Sequence, residues 1–368
     1  MTPAPGDGIG DMPDARPIFV MGNARSGTTL MRVLLSSHPK IYITHEPWFY
    51  VWLGLCPQNM SGDEFLWAYF RTFSFRWLRL NPTDVMRALP SPLPRSSVHL
   101  GFRAIMKLKA AAFGRQHWGE KSPGHIDHMT EIFRDFPDAK VIMMVRDPRT
   151  TVDSTRRMVW GSQSDLANSL GYVRGLKNAT GFRDRVLSVK LEELRQEPER
   201  KMRRVLDFVE EPWEVAVLDH VSNNPDPLDM PPVPWLQTAT EPLRGVDTRL
   251  HAMDPDRVRL IETVCRASMR RYGYEPTELR TVTGSVRTWL RLAAEVPETA
   301  RHVWRLTRRF QALRNPALWD SPMARYGYLF EGLNPAWWAE NEGFVFPTPP
   351  ELPSPGPVPL RRGEQAEG

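Results

Sequence analysis

The apolar positions of the chain change period several times, and each change marks an element. Residues 17–21 are a short apolar run that ends in a glycine-containing turn, and Leu30, Val33 and Leu34 then recur at helical spacing between Thr28 and Ser36. That pattern predicts strand, loop, helix. Residues 140–145 form a second strand signal, preceded by a helix that carries Ile126, Met129, Phe133 and Phe136 on one face. A third strand at 185–189 leads, after Glu197 and Pro198, into a helix with Met202, Val205, Leu206 and Val209 aligned. A further helix starts at Asp254-Pro255, presents Val258, Ile261 and Cys265, and stops at Gly273. Asp as cap, Pro in the first turn and Gly past the end are the expected signals for such boundaries. Strands alternating with helices predict an α/β fold, a P-loop-like central parallel sheet flanked by helices.

Two stretches break the alternation. Residues 47–113 are crowded with aromatics, from Trp48, Phe49 and Tyr50 to Phe75 and Trp77, and are punctuated by prolines. They read as a helical, aromatic-rich insertion, most of whose rings pack a core while a minority line an acceptor pocket. Residues 281–346 read as a helical C-terminal extension whose segment from Arg287 to Leu313 is basic and amphipathic. The expected organisation is therefore a flexible leader at 1–16, an α/β domain at 17–280, the extension, and a Pro-rich disordered tail at 347–368.

Composition changes this picture only modestly. At 368 residues and 41% hydrophobic content the chain can bury a substantial core. The net charge of +5 comes from forty arginines and eight lysines against 43 acidic residues, which favours anionic ligands. The basic residues are scattered, with no zinc-finger spacing or RNA-binding aromatic motif, so no nucleic-acid partner is expected. Two cysteines, Cys56 and Cys265, exclude a disulfide framework and suit a reducing, cytoplasmic setting. The leader has no apolar signal region, and no run of about 18 apolar residues predicts a transmembrane span. Peripheral membrane contact through the basic amphipathic segment stays open. The histidines show no metal-ligand spacing, and no metal is expected.

The chemistry is concentrated in the first loop. Gly22-Asn23-Ala24-Arg25-Ser26-Gly27-Thr28-Thr29 fits the Gly-x-x-x-x-Gly frame of a phosphate-cradling loop and stands between a strand and a helix. Thr28 occupies the place where an ATP-using enzyme needs the lysine that neutralises the β- and γ-phosphates. Arg25 and the hydroxyls of Ser26, Thr28 and Thr29 can still hold a single phosphate.

The loop resembles that of the sulfotransferases that use 3′-phosphoadenosine 5′-phosphosulfate, in their bacterial and tyrosylprotein-type branch. The resemblance covers about residues 17–275, and it implies that Arg25, Ser26, Gly27, Thr28 and Thr29 bind the 5′-phosphosulfate. A second signature of that family is a strand ending in Arg with a Ser eight positions on, met here by Arg146 and Ser154, which would grip the 3′-phosphate. Lys121, in Glu120-Lys121-Ser122-Pro123, resembles the lysine that stabilises the bridging oxygen. Its competing reading is a solvated loop lysine or a partner of Glu120. Glu46, twenty-one positions after Arg25, resembles the family's general base, with His45 as an alternative and His99, His117 and His125 as further options. Arg244 and Arg249 are loose candidates for a late basic contact to the 3′-phosphate.

By this resemblance Glu46, Lys121 and Arg25 are the catalytic candidates. The reaction that the resemblance implies is in-line attack of an acceptor hydroxyl on sulfur, with the donor as co-substrate and no metal. The position of the insertion suggests an apolar, aromatic or glycolipid-like acceptor. Two other readings compete. One is a nucleotide-dependent kinase with a degenerate loop, for which Asp147 is the obvious Mg²⁺ ligand. The other is a non-catalytic module that binds a nucleotide or a membrane surface.

Overall fold

In the computed structural model five parallel strands form one sheet in the order β2-β3-β1-β4-β5. The structure describes residues 16–226, 233, 236, 241, 245, 249–277, 286–319 and 333–351. The strands are β1 (Ile18–Gly22), β2 (Ile41–His45), β3 (His117–Lys121), β4 (Lys140–Val145) and β5 (Val186–Lys190). β1 lies in the middle, with Val20 in register with Lys121 of β3 and Ile142 of β4. All five C-terminal ends consequently lie along one edge, where open parallel sheets bind ligands.

β1 to β4 are short and almost wholly buried, as strands covered on both faces are, whereas β5 at the sheet edge leaves Ser188 exposed. Val20, Ile43, Ile142 and Val189 pack with Met202, Val205 and Leu206 of the helix Pro198–Val209 on one face. Phe19, Tyr42, Val141 and Met143 pack on the other with the aromatic cluster. α1 (Thr28–Ser36) follows β1 and has the bounds that its periodicity predicts. Lys140–Val145 likewise matches its predicted limits, and β1 and β5 are displaced from theirs by one residue.

Between β2 and β3 the chain forms the helices Phe49–Leu55, Gly62–Phe70, Phe73–Arg76, Pro82–Arg87 and His99–Ala111. Its rings make a core. Phe49, Tyr50, Trp52, Phe65, Tyr69, Phe70 and Phe75 are almost wholly buried, while Trp67 is half exposed. Phe49 meets Phe65, Tyr69 and Phe102 at centroid separations of 5.3, 5.1 and 5.0 Å, within the range in which aromatic pairs attract. The helix Pro255–Tyr272 is capped by Asp254 and ends at Gly273 in a left-handed conformation, as its sequence predicts. In the extension the helix Val286–Ala312 is followed by Trp319, whose ring lies 4.9 Å from that of Trp52. Residues 352–368, most of the expected tail, lie outside the described residues, as do residues 1–15 of the leader.

Candidate active site

The loop after β1 is shaped by its glycines. Gly22 has φ +147°, and a Cβ there would stand 2.5 Å from the Met144 carbonyl oxygen and 2.7 Å from Ser26 Oγ. Only glycine lets β1 turn away this close to β4. Gly27, at φ +93°, caps α1 without a side chain. Ser26 ties the loop to itself, its N–H and Oγ donating to the Asn23 carbonyl at 3.1 and 2.7 Å. No side-chain cap and no acidic residue occupies the first turn of α1. The backbone N–H groups at Thr28 and Thr29 and the positive helix end therefore face the hollow of the loop, a fit for an anion.

Arg25 is itself left-handed at φ +70°, an uncommon conformation for a non-glycine residue. Its Nε donates to Ser154 Oγ at 3.1 Å, and Arg146 Nη1 donates to the Arg25 carbonyl at 2.7 Å. Ser154 is on the helix Pro148–Arg156 and Arg146 follows β4 directly. The structure thus brings together three of the seven residues assigned from sequence to the two phosphate ends. Tyr172 locks this corner by donating its hydroxyl to the Arg146 carbonyl at 2.8 Å, while its own carbonyl accepts from the Asn23 amide.

Asp147 is committed elsewhere. It accepts from the Arg149 N–H at 2.9 Å as a helix cap, and its carboxylate pairs with the Arg149 guanidinium, which also meets Glu262 at 2.7 Å. The carboxylate that a kinase would direct at Mg²⁺ is here an N-cap and half of an ion pair. Among the described residues no group of three or more His, Cys, Asp or Glu side chains could hold a metal ion.

Lys121 and Glu46 meet at the neighbouring strand ends. β2 and β3 pair His45 with Lys121, and the Glu46 N–H donates to the Lys121 carbonyl at 2.8 Å. The Lys121 side chain is fully buried, and Nζ lies 2.6 Å from Glu46 Oε1. Glu46 Oε2 accepts from the indole N–H of Trp48 at 3.1 Å, and about a sixth of the Glu46 side chain is open to solvent. Burial lowers the Lys121 pKa, the Glu46 carboxylate opposes that shift, and the nearby Arg32 adds to it. Lys121 is therefore a strand residue in an enclosed ion pair with Glu46, which corrects the reading of a solvated loop lysine: β3 was hidden in the sequence by its polar end.

The imidazoles sit in packing roles. His45 is buried, and enclosure followed by the Lys121 and Arg32 charges holds its pKa well below 6.5. His125 is enclosed between Glu120, at 2.7 Å, and the Tyr50 N–H. His117 starts β3, at the opposite end of the sheet from the loop, and pairs with Glu211 at 2.9 Å. His99 and Phe136 form a T-shaped ring pair with centroids 6.2 Å apart. Arg244 and the Arg249 side chain lie outside the described residues.

Three contributors were missed from sequence. Trp48 could not be told from the other rings of the insertion. Tyr172 is one tyrosine on an unremarked helix. Arg32, fully buried with Nε donating to the Ile43 carbonyl at 3.0 Å, did leave a signal: a lone charge inside the apolar run of α1.

A family described as the sulfotransferase family matches residues 17–215, a shorter span than the 17–275 expected from the motifs. Protein-tyrosine sulfotransferase 1 of Danio rerio is 30% identical over 216 residues, which is 55% of this chain and 55% of that protein. The Homo sapiens protein of the same name is 30% identical over 213 residues, covering 55% and 53% of the two chains. The chain spans about half the length of these curated relatives. Sulfotransferase STF9 from Mycobacterium avium superposes with a TM-score of 0.44 at 16% identity, over 73% of this chain and 79% of that one.

Proposed function

We propose that the chain, which belongs to the sulfotransferase family, moves a sulfuryl group from 3′-phosphoadenosine 5′-phosphosulfate to an acceptor hydroxyl. The observation that carries this reading is the Lys121–Glu46 pair at 2.6 Å, one strand away from an anion-binding loop with Thr28 in place of the ATP-neutralising lysine. A cation and a proton acceptor in contact beside a phosphate cradle suit transfer between two oxygens.

The bound donor would supply an electrophilic sulfur joined to a phosphate leaving group. The amides and hydroxyls of residues 26–29 hold its 5′ end, and Arg146 and Ser154 hold its 3′-phosphate. Arg25 spans the two through its bond to Ser154. Glu46 accepts the acceptor's proton as the new O–S bond forms. Lys121 Nζ donates to the bridging oxygen that gains charge as the old S–O bond breaks, leaving a sulfated acceptor and adenosine 3′,5′-bisphosphate. Positioning and fixed charges supply the acceleration, as in phosphoryl transfer. The cations of this scheme are side chains, Arg25, Lys121 and Arg146. The kinase reading is disfavoured by Thr28 and by the commitment of Asp147 to Arg149.

For the acceptor, an aromatic hydroxyl is the first choice. The relatives are named for protein tyrosine, and the insertion that follows Glu46 brings Trp48 to the carboxylate. Transfer of labelled sulfate from the donor to tyrosyl peptides, simple phenols, lipid-linked sugars and anionic glycans tests this. Transfer to the phenolic set is expected, and activity confined to an anionic glycan would overturn the acceptor assignment.

A further inference from the structure

The helix Val286–Ala312, about 40 Å long at 1.5 Å per residue, is mounted on the fold with an apolar side outward. Its inner side is fixed by polar contacts. Glu295 Oε2 accepts from the Leu166 N–H at 2.7 Å and from Ser164 Oγ at 2.9 Å, and Arg291 pairs with Asp254 at 3.1 Å. Thr288 and His302 are buried against the body of the protein.

On the outer side Val286, Trp289, Leu290, Val296, Val303 and Trp304 are each more than half exposed. Their spacing of three and four residues makes one continuous stripe, filled in by the exposed Ala293, Pro297 and Ala300. Arg287, Arg301 and Arg308 are exposed along one border of the stripe, and the Arg308 guanidinium lies 5.4 Å from the Trp304 ring centroid. The helix carries six arginines against two glutamates. Trp289 and Trp304 stand about 22 Å apart, one near each end. Indole rings at the ends of an apolar stripe with guanidinium groups at its edge match the boundary between acyl chains and anionic headgroups.

We propose that this face docks on an anionic phospholipid bilayer, with the helix lying in the plane of the interface. Among the described residues no helix is long and apolar enough to cross a membrane, so contact would be along the surface. Charge favours lipid over a second copy of the chain. An antiparallel two-fold pair would bring the two arginine borders to one seam, and a parallel pair would set neither border against an acidic row. This surface lies beyond residues 17–215 and is independent of the transfer chemistry.

Flotation of the full chain with vesicles tests the proposal. Binding to phosphatidylglycerol-containing vesicles should exceed binding to pure phosphatidylcholine by about tenfold or more and weaken with salt. W289S/W304S and R287E/R308E should each reduce it by about tenfold while leaving circular dichroism and solution transfer activity unchanged. Absence of binding to anionic vesicles would overturn the proposal, as would binding that both double variants leave intact. A concentration-dependent dimer, abolished by W289S/W304S and accompanied by no vesicle binding, would assign the face to a second copy and overturn it too.

Discussion

The fully buried Lys121 ammonium lies 2.6 Å from Glu46, and that carboxylate is held on its other oxygen by the Trp48 indole at 3.1 Å. Glu46 therefore cannot swing freely between rotamers. Its Oε atoms are held beside the ends of β2 and β3, where in the proposed reaction an acceptor hydroxyl would deliver its proton.

Replacement of Glu46 separates its two roles. Glu46→Gln keeps the shape and a hydrogen bond to Lys121 but removes the base, so turnover should fall by roughly 10²–10⁴ with a smaller loss of stability than full truncation brings. Glu46→Ala should cost about 3–5 kcal/mol of stability as well, because it leaves an enclosed ammonium without its counter-charge. Urea unfolding next to single-turnover assays reads both effects. Full turnover in Glu46→Gln would remove it from the mechanism.

The pH–rate profile should report Lys121. Burial lowers its pKa from 10.5, so the proton, and with it the positive charge that would face the bridging oxygen in the proposed reaction, is lost at a pH below the ordinary lysine range. A basic limb is expected there at saturating donor. Lys121→Arg, whose side chain stays protonated, should displace that limb upward, and an identical limb in the variant would show that another group titrates.

Trp48→Phe keeps the ring against Phe73, whose centroid is 5.7 Å away, and deletes only the N–H that steadies Glu46. A hydrogen bond to a charged group is worth about 1.5–3 kcal/mol, so turnover should drop by roughly ten- to a hundredfold with donor affinity unchanged. A shift confined to the donor KM would mean that the indole acts on the nucleotide side.

Gly22→Ala forces a Cβ to within 2.5 Å of the Met144 carbonyl at a φ of +147°. The loop must move, so the variant should lose donor binding and melt lower, by about 1–3 kcal/mol. Wild-type affinity for adenosine 3′,5′-bisphosphate in this variant would contradict the cradle geometry.

Acid stability should be governed in part by histidines held neutral. His38, His45, His128, His220 and His302 all have pKa values lowered from 6.5, with burial the largest cause in each. Below 6.5 the unfolded chain binds protons that the folded chain resists, so the stability is fully present above that value and is lost as pH falls through the lowered folded values. Urea titrations at successive pH values should show this decline near pH 6, and His45→Gln should make it shallower.

Much of the fold was legible because burial on both faces wrote strands β1 and β4 as apolar runs, because β5 is apolar apart from the exposed Ser188 and its terminal Lys190, and because α1 and the helix Pro255–Tyr272 carry their own period and caps. β2 and β3 were not. Ile41–His45 alternates over too few residues, and His117–Lys121 ends in two charges that a core strand should not have. Glu120 Oε1 meets His125 while its Oε2 is buried without a hydrogen bond among the described residues, and Lys121 pairs with Glu46, so the strand departs from the apolar pattern at the point where it enters the candidate site. The loop was readable from glycine spacing and Thr28. The support from Trp48 and Tyr172 was not, since one is indistinguishable in type from its neighbours and the other distant in sequence, whereas Arg32 was marked by its lone charge within α1.

Isothermal titration of the full chain with adenosine 3′,5′-bisphosphate and with ATP, each with and without Mg²⁺, tests the donor assignment most directly. The bisphosphate should bind more tightly than ATP, with no dependence on Mg²⁺, and Arg146→Ala should weaken it by about tenfold or more. Tighter ATP binding that requires Mg²⁺ would contradict the account and turn the loop back into that of a kinase.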